Sequence, residues 1–321
     1  MSAPAVNAPG MAAPRSRRSR ALAAARRTDG IIDGLFRAQA GLVYAFLYLP
    51  IVVVVIFSFN QNRLATIWTG FTLDWFGVAL GDAVVTKALG NSFVIAMVNA
   101  VLATTFGTMA ALGLQRVGRR TRSGYDILTY VSIIVPEIVI ALATLVFFAS
   151  TFDVINPILS DLQGGAKGAF KLGFGQFTIV AAHVLFNLSL VLLLVRARLS
   201  GMDRTLVEAS QDLFATPWRT FRQITFPQLL PAIVAGFLLA FTFSFDDYVI
   251  TSFVTGPGST TLPIFIFGQV KRGVSPETNA VATMILAFTI GMLLLGQAVL
   301  TWQSRRSGRR SDSMASIVTE R

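Results

Sequence analysis

The chain has 321 residues, 54% of them hydrophobic and only 13% charged, and its mean hydropathy is positive. That balance falls outside the range of soluble globular domains and points to an integral membrane protein. With no cysteine and a single histidine, His183, the chain has no thiol nucleophile, no disulfide framework and no Cys or His cluster for a metal. A net charge of +11 raises the question of nucleic acid, which the placement of the basic residues answers.

The first 38 residues are rich in Ala, Pro, Ser and Arg and read as a disordered basic arm. An organelle transit peptide has a similar composition. A cleaved secretory signal fits less well, because "FSFNQNRL" after the first apolar run offers no small-residue cleavage pattern. The first apolar run is therefore expected to stay as an anchor.

A helix crossing a hydrocarbon core about 30 Å thick needs about 20 mostly apolar residues. Six segments qualify: 39–59, 91–114, 127–150, 177–199, 229–254 and 280–302. The expected fold class is all-α, a polytopic six-span membrane domain over 39–302 followed by a tail at 303–321. Of the 27 Lys and Arg residues, 21 lie before the first span, between the second and third, around the fourth-to-fifth connection, or after the sixth. The opposite segments hold only Arg63, Lys87, Lys167, Lys171, Lys271 and Arg272. By the positive-inside rule both termini are cytoplasmic, and the basic charge follows topology rather than nucleic acid. No repeat of 20 to 50 residues is visible, so one membrane domain is the simplest count.

In the third span, Glu137 directly follows Pro136, about 10 residues in and near the membrane midplane. Proline frees a carbonyl one turn earlier, and such bends or breaks persist where a cavity or a neighbouring helix satisfies it. An intramembrane acid suggests function, with a hydrogen bond to another span as the alternative. His183 and Asn187, four apart in the fourth span, share a helix face and suit helix-to-helix hydrogen bonds, as does Asn99 in the second.

The connection 200–228 carries its own pattern. Thr205 followed by Glu208 fits a capping box, and Leu206, Ala209, Ser210 and Leu213 recur at helical spacing as a small apolar face. Thr216 as cap and Pro217 at the first helical position then start a second short helix, with Trp218, Phe221 and Ile224 on its apolar side. A cytoplasmic knob of this kind packs on the membrane domain or docks on a partner.

The fifth span holds "SFDDYVITSFV". Asp246 and Asp247 interrupt an otherwise apolar and aromatic run, and a charge at a membrane centre costs about 2.5 to 3.5 kcal/mol. Counted from Pro231, Asp246 lies about 23 Å along a helix, in the outer third of the membrane. Adjacent helical residues diverge by about 100°, so the two acids cannot face one narrow path equally. They form either an interfacial helix end or an electronegative mouth for a cation, with Tyr248, Phe243 and Phe245 as available aromatic faces. Further on, a Gly-Pro-Gly turn leads into a short apolar run, and Ser275, Pro276 and Glu277 start the helix that feeds the sixth span.

The stretch "EASQDLFATPWRTFRQITFPQLLPAI" resembles the cytoplasmic loop of ATP-binding-cassette importer permeases, whose pattern is E-A-A, three residues and a Gly, then an apolar residue and L-P. Glu208, Ala209, Ile224 and Pro227 match; Ser210 replaces the second Ala, Phe226 replaces the Leu, and Phe214 stands in place of the Gly. Either the turn at Phe214 is built differently, or its ring adds contact area at a partner. The segment from Ser244 to Thr283 is similar to the second permease type of spermidine/putrescine importers, and the likeness covers about residues 40–302.

The resemblance implies a permease subunit of an ATP-driven polyamine importer in a bacterial inner membrane, without catalytic residues. No phosphate-cradling G-x-x-x-x-G-K-[ST] motif is present, so no cofactor is expected in this chain; ATP and Mg²⁺ belong to a partner. The implied partners are a pair of ATPase subunits, a second permease, an extracytoplasmic solute-binding protein, the polyamine and membrane lipid. Thr205, Glu208, Ala209, Ser210, Asp212, Leu213, Phe214, Ala215, Pro217, Ile224 and Pro227 would form the coupling loop. Glu137, Asp246, Asp247 and Tyr248 would line the path. Alternatives are an importer for another small cation, an amino acid or a chelated metal, an ion-coupled carrier using the same acids, or a membrane anchor. A carrier would be favoured by inverted repeats with paired broken helices, of which the sequence carries no sign.

Overall fold

The computed structural model describes residues 17–63, 67–163, 170–203 and 205–319. Residues 1–16 of the expected arm, with Lys167, Arg204 and Arg321, lie outside them. The chain divides into two compact units, Met1–Ile56 and Phe57–Arg321.

The first unit is built on one helix, α1 (Arg17–Phe57), which contains the apolar span Ile32–Phe57. The second half of the expected disordered arm is therefore helical. Alanine and arginine are strong helix formers, and no proline separates the Arg- and Ala-rich stretch from the apolar run, so the helix runs on through Gly30 and Gly34. Pro50 lies within α1 without ending it, as membrane helices tolerate.

The second unit contains α2 (Asp74–Gly81), α3 (Ala83–Gly113), α4 (Arg119–Ile134), α5 (Glu137–Leu162), α6 (Gln176–Ser200), α7 (Thr205–Asp212) and α8 (Pro217–Thr220). A π-helical turn at Phe221–Thr225 leads into α9 (Phe226–Asp246), followed by α10 (Val249–Val254), α11 (Leu262–Arg272) and α12 (Pro276–Thr319). Among the described residues the only β-pairing is an isolated bridge between Asn60 and Phe71.

Among the described residues six helical segments are long and apolar enough to cross a membrane, the number expected. Two expected spans differ in detail. The span placed at 127–150 is broken at Val135 and Pro136 into α4 and α5, because the residue before proline is driven out of the helical region: Val135 has ψ 130. The span placed at 229–254 ends as α9 at Asp246, and its remainder is the separate helix α10.

The core of this unit lies where α3, α6 and α9 pack. Ala96, Ala100, Ala103 and Ala111 on α3 and Ala240 on α9 are fully buried, the small residues that let helix backbones approach in a membrane. At the closest point Gly107 of α3 faces Val191 of α6; a Cβ there would lie 2.9 Å from the Val191 Cβ and 3.1 Å from the Leu188 carbonyl oxygen. Phe241 and Phe245 stack at 5.6 Å and fill the space beside Ala240.

One end of the unit is closed by the strap between α10 and α11. Asn91 donates to the Gly258 and Thr260 carbonyls at 3.0 and 2.9 Å, Ser92 Oγ accepts from Leu262 N at 2.8 Å, and Thr178 donates to the Val254 carbonyl at 2.7 Å. The opposite end carries α7, α8 and the arginines. There Arg196 pairs with Asp126, and Arg198 Nε donates to the Gln228 carbonyl at 3.1 Å, tying the end of α6 to the start of α9.

Candidate functional site

The site is made by two helix breaks that meet. At the first, Pro136 ends α4, and its carbonyl accepts from Val139 and Ile140 as α5 begins. Glu137 occupies the first turn of α5, where the helix dipole favours an acid. At the second, α9 stops because Asp247 takes an extended conformation (φ −67, ψ 126). Its carboxylate then caps α10, accepting from Ile250 N at 3.3 Å, Thr251 N at 2.7 Å and Thr251 Oγ1 at 2.6 Å. A short acceptor just ahead of a new helix satisfies amides that would otherwise be orphaned.

The two aspartates are thereby separated by backbone geometry rather than by the 100° of a continuous helix. Asp247 turns inward, with 5% of its side chain exposed. Its Oδ2 lies 2.9 Å from Nε2 of His183, seven residues into α6, and the other ring nitrogen of His183 lies 2.7 Å from Ser244 Oγ. Thr251 Oγ1 is 3.0 Å from the same Nε2. Asp246, the last residue of α9, turns outward and is exposed. Packing of α5 on α10 brings Glu137, also exposed, within hydrogen-bonding reach of Asp247. Glu137 and Asp247, one from each break, therefore come together beside one buried imidazole, while Asp246 faces away from it.

Tyr248 sits in the second break, its ring 4.3 Å from that of Phe267 on α11. Lys271, one turn along α11, holds its ammonium 4.8 Å from the Phe267 ring centre. The other aromatic candidates lie elsewhere: Phe245 is core, packed on Phe241 and Phe288, and Phe243 meets Phe186 edge-on. Asn99 makes the expected helix-to-helix bond, donating to the Ala240 carbonyl at 2.9 Å. Asn187 is buried, but its Oδ1 has no partner among the described residues. His183 makes bonds across helices, as its position suggested. That these bonds reach Asp247 had no local signal beyond its being the lone histidine of a span.

The second feature is the loop at the arginine-rich end. Thr216 caps α8 and Pro217 takes the first helical position, as the sequence predicts. The start of α7 differs from the expected capping box. Asp203 accepts from Thr205 N at 2.9 Å and from its hydroxyl at 2.8 Å, so Thr205 lies inside the helix. Those bonds from Thr205 hold the Asp203 carboxyl below its usual range. The small apolar face also differs: Ser210 turns inward to meet the Thr220 hydroxyl at 2.8 Å, whereas Leu206, Ala209 and Leu213 are exposed. Ala215 and Ile224 are partly buried, and Glu208, Asp212, Pro217, Trp218 and Pro227 are exposed.

Phe214 has φ 57, the one positive-φ residue other than glycine among the described residues. Ala215 N donates to Ser210 O at 3.0 Å and Phe214 N to Gln211 O at 2.9 Å, the paired bonds of a Schellman turn. The turn is therefore the one a glycine would make, built with a phenylalanine at a cost of about 1 to 2 kcal/mol. The ring is 95% exposed.

The family model for the binding-protein-dependent transport system inner membrane component matches residues 103–309. The chain belongs to this family of importer permeases. Among relatives, the permease is 40% identical over 246 residues to the putrescine transport system permease protein PotI of Escherichia coli (strain K12), covering 76% of this chain and 83% of the relative. It is 35% identical over 257 residues to the spermidine/putrescine transport system permease protein PotC of the same strain, covering 80% and 90%. Its fold matches a subunit of a bacterial ABC transporter involved in the import of the acidic polysaccharide alginate, with TM-score 0.69, 16% identity and coverage of 87% and 98%. A weaker match, with TM-score 0.53, 14% identity and coverage of 68% and 95%, is to the methionine ABC transporter MetNI. The permease is a multi-pass inner-membrane subunit and not an enzyme.

Proposed function

We propose that this permease carries a polyamine of the putrescine or spermidine kind across the membrane, driven by ATP hydrolysed on a separate subunit. The observation that carries the reading is the approach of Glu137 to Asp247 where two broken helices meet, with Asp246 exposed at the end of α9 beside them in sequence. An alkyl diammonium needs separated carboxylates for its two charges, and an aromatic face suits the methylenes between them. Asp246 and Glu137 are the exposed pair that touches cargo. Asp247 is the buried pin that holds the break, and Tyr248 supplies the aromatic wall. The putrescine and spermidine named for the two relatives agree with a cargo of this charge.

Coupling runs through the 200–228 loop. Exposed Leu213, Phe214 and Trp218 give a pair of ATPase subunits an apolar grip beside Glu208 and Asp212, and the Ser210–Thr220 bond keeps α7 and α8 moving as one piece. Closure of the ATPases, which hold ATP and Mg²⁺, would rock α9 through the π-helical turn that joins it to α8. The excess of arginine in the segments on this side supports a cytoplasmic orientation for it and for both termini. A second permease completes the path, and a solute-binding protein delivers cargo at the strap end.

The test is uptake of labelled putrescine and spermidine by vesicles holding this chain, a second permease, the ATPase and the binding protein. Uptake should require ATP and survive collapse of the proton gradient. Uptake that needs the gradient and not the nucleotide would sink the reading and favour an ion-coupled carrier.

A further inference from the structure

We infer that Lys271 is a specificity-determining residue: its ammonium occupies the ring of Phe267 at the edge of the site and keeps a third cargo ammonium off it, so that the permease favours a diamine over a triamine. The inference rests on the cargo reading above and names what that site selects.

The placement starts at the second break. Asp247 ends α9 and caps α10, which leaves Tyr248 at the head of α10 with no side-chain part in the cap. The Tyr248 ring meets that of Phe267 with centroids 4.3 Å apart, and the Lys271 ammonium lies 4.8 Å from the Phe267 centroid. Phe267 and Lys271 are four residues apart on α11 and so share one helix face. The aromatic wall of the site therefore continues from Tyr248 to Phe267 and ends on a cation. That cation lies at most about 9 Å from the Tyr248 ring centre, the two separations laid end to end.

Two simpler reasons for a lysine at this position fall short. Basic residues suit the last turn of a helix, where the dipole favours positive charge. Arg272 meets that need in the next position with its guanidinium beside Gly268, and among the described residues Lys271 is the only cation seated over an aromatic ring. An ion pair is the other reason, yet no carboxylate pairs with Lys271 among the described residues, whose ion pairs are His183–Asp247 and Arg196–Asp126. Phe267 and Lys271 are both exposed, so a ligand can replace their contact without opening the core.

The lysine stem is four methylenes ending in a primary ammonium, the aminobutyl group of putrescine itself. With its own side chain the protein thus shows that the Phe267 ring accepts an alkylammonium at this spot. Putrescine has two ammonium groups, which Asp246 and Glu137 take. Spermidine carries a third on a further arm, and the next face along the wall is Phe267. With Lys271 seated there, that third ammonium has to displace a tethered group of its own kind or stop beside it, and like charges at close range repel. The cost falls on the triamine alone.

The experiment supplies putrescine and spermidine, carrying different isotopes, together at equal concentration to vesicles holding the full complex and ATP. The ratio of their uptake rates is the ratio of their kcat/KM values, and the binding protein, common to every arm, cancels between variants. Lys271→Gln should raise the spermidine-to-putrescine ratio about two- to fivefold, the size of an exposed cation–π contact. Arg272→Gln removes the same charge from the same helix end and should leave the ratio where it is. Lys271→Arg keeps a cation for the ring and should not raise it. Adding Phe267→Leu to Lys271→Gln should cancel the gain. An unmoved ratio in Lys271→Gln, an equal rise in Arg272→Gln, a rise in Lys271→Arg, or a gain that survives Phe267→Leu each overturns the inference. Should the Phe267→Leu variant fail to assemble, the three substitutions at exposed Lys271 and Arg272 decide by themselves. Asp246→Asn tests the cargo reading separately. Slower uptake of both cargoes there, beside an unmoved ratio in Lys271→Gln, ends this inference and keeps the reading, whereas normal uptake in Asp246→Asn ends both.

Discussion

Asp247 and His183, 64 residues apart in sequence, meet at 2.9 Å with almost no solvent contact. This contact joins α6 to the break between α9 and α10 and divides the labour of two adjacent acids. Asp247→Ala would leave Thr251 N without its acceptor and His183 Nε2 with only the Thr251 hydroxyl, and an orphaned buried donor costs about 1 to 3 kcal/mol. The purified protein should therefore melt several degrees lower. Asp246→Asn should leave the melting temperature unchanged and raise KM for putrescine about tenfold, equivalent to about 1.4 kcal/mol. Equal thermal losses in the two variants would contradict the division.

Phe214 makes a prediction with two opposite signs. Phe214→Gly removes the left-handed strain and should stabilise the loop by about 1 kcal/mol, seen as slower amide exchange in α7. It also removes the most exposed large ring of the loop, so recovery of the ATPase with the permease should fall. Phe214→Ala keeps the strain and loses the ring, and should lose ATPase recovery without the gain in protection. If ATPase recovery is unchanged in both, the ring is not part of the grip.

The spans and the loop were legible because both depend on local pattern: hydropathy over about 20 residues, arginine placement, and Thr216 with Pro217 as a start signal. The break at Pro136 could be read from proline chemistry alone. The break at Asp247 could not, because Val249–Val254 continues the apolar run and hydropathy does not register a missing turn. An aspartate ahead of an apolar run with Thr251 four residues on is a cap signal, but inside a span it competes with helix continuation. The contact of Asp247 with His183 is non-local and leaves no trace in spacing. The left-handed turn at Phe214 was visible only as a departure from the glycine of the resembling family. The helix from Arg17 was missed because composition alone cannot distinguish a solvated arm from an Ala- and Arg-rich helix feeding a span.

The Asp126–Arg196 pair gives a pH dependence with a defined sign. Chiefly through the hydrogen bond from Arg196, the Asp126 carboxyl is held below its usual range. A group whose folded-state value is depressed stabilises above its unfolded value and loses that contribution as pH falls through the folded one. The difference in melting temperature between wild type and Arg196→Gln should thus be constant from pH 7 to about 5 and shrink below about pH 4. The pair is partly exposed, so the effect should be under about 1 kcal/mol and smaller in high salt. A difference that grows on acidification would reverse the assignment.

Gly107 tests the packing that positions the site, since α3, α6 and α9 meet around Val191. Alanine in place of a helical glycine gains about 1 kcal/mol of propensity. Here the new Cβ would lie 2.9 Å from the Val191 Cβ, a separation real Cβ contacts essentially never show, and 3.1 Å from a backbone oxygen. Overpacking of this kind costs about 1 to 3 kcal/mol, so the steric term should win and Gly107→Ala should melt lower than wild type. Val191→Ala keeps the Cβ but removes the Cγ1 that would also lie 2.9 Å from the new atom, so it relieves part of the clash, although it also loosens the contact with Gly236 of α9. The double variant should therefore be more stable than the sum of the two single losses by at least about 0.5 kcal/mol, the signature of residues that share one contact. Strict additivity would mean that α3 relieves the clash by sliding on α6, and that the spacing of these helices is set elsewhere.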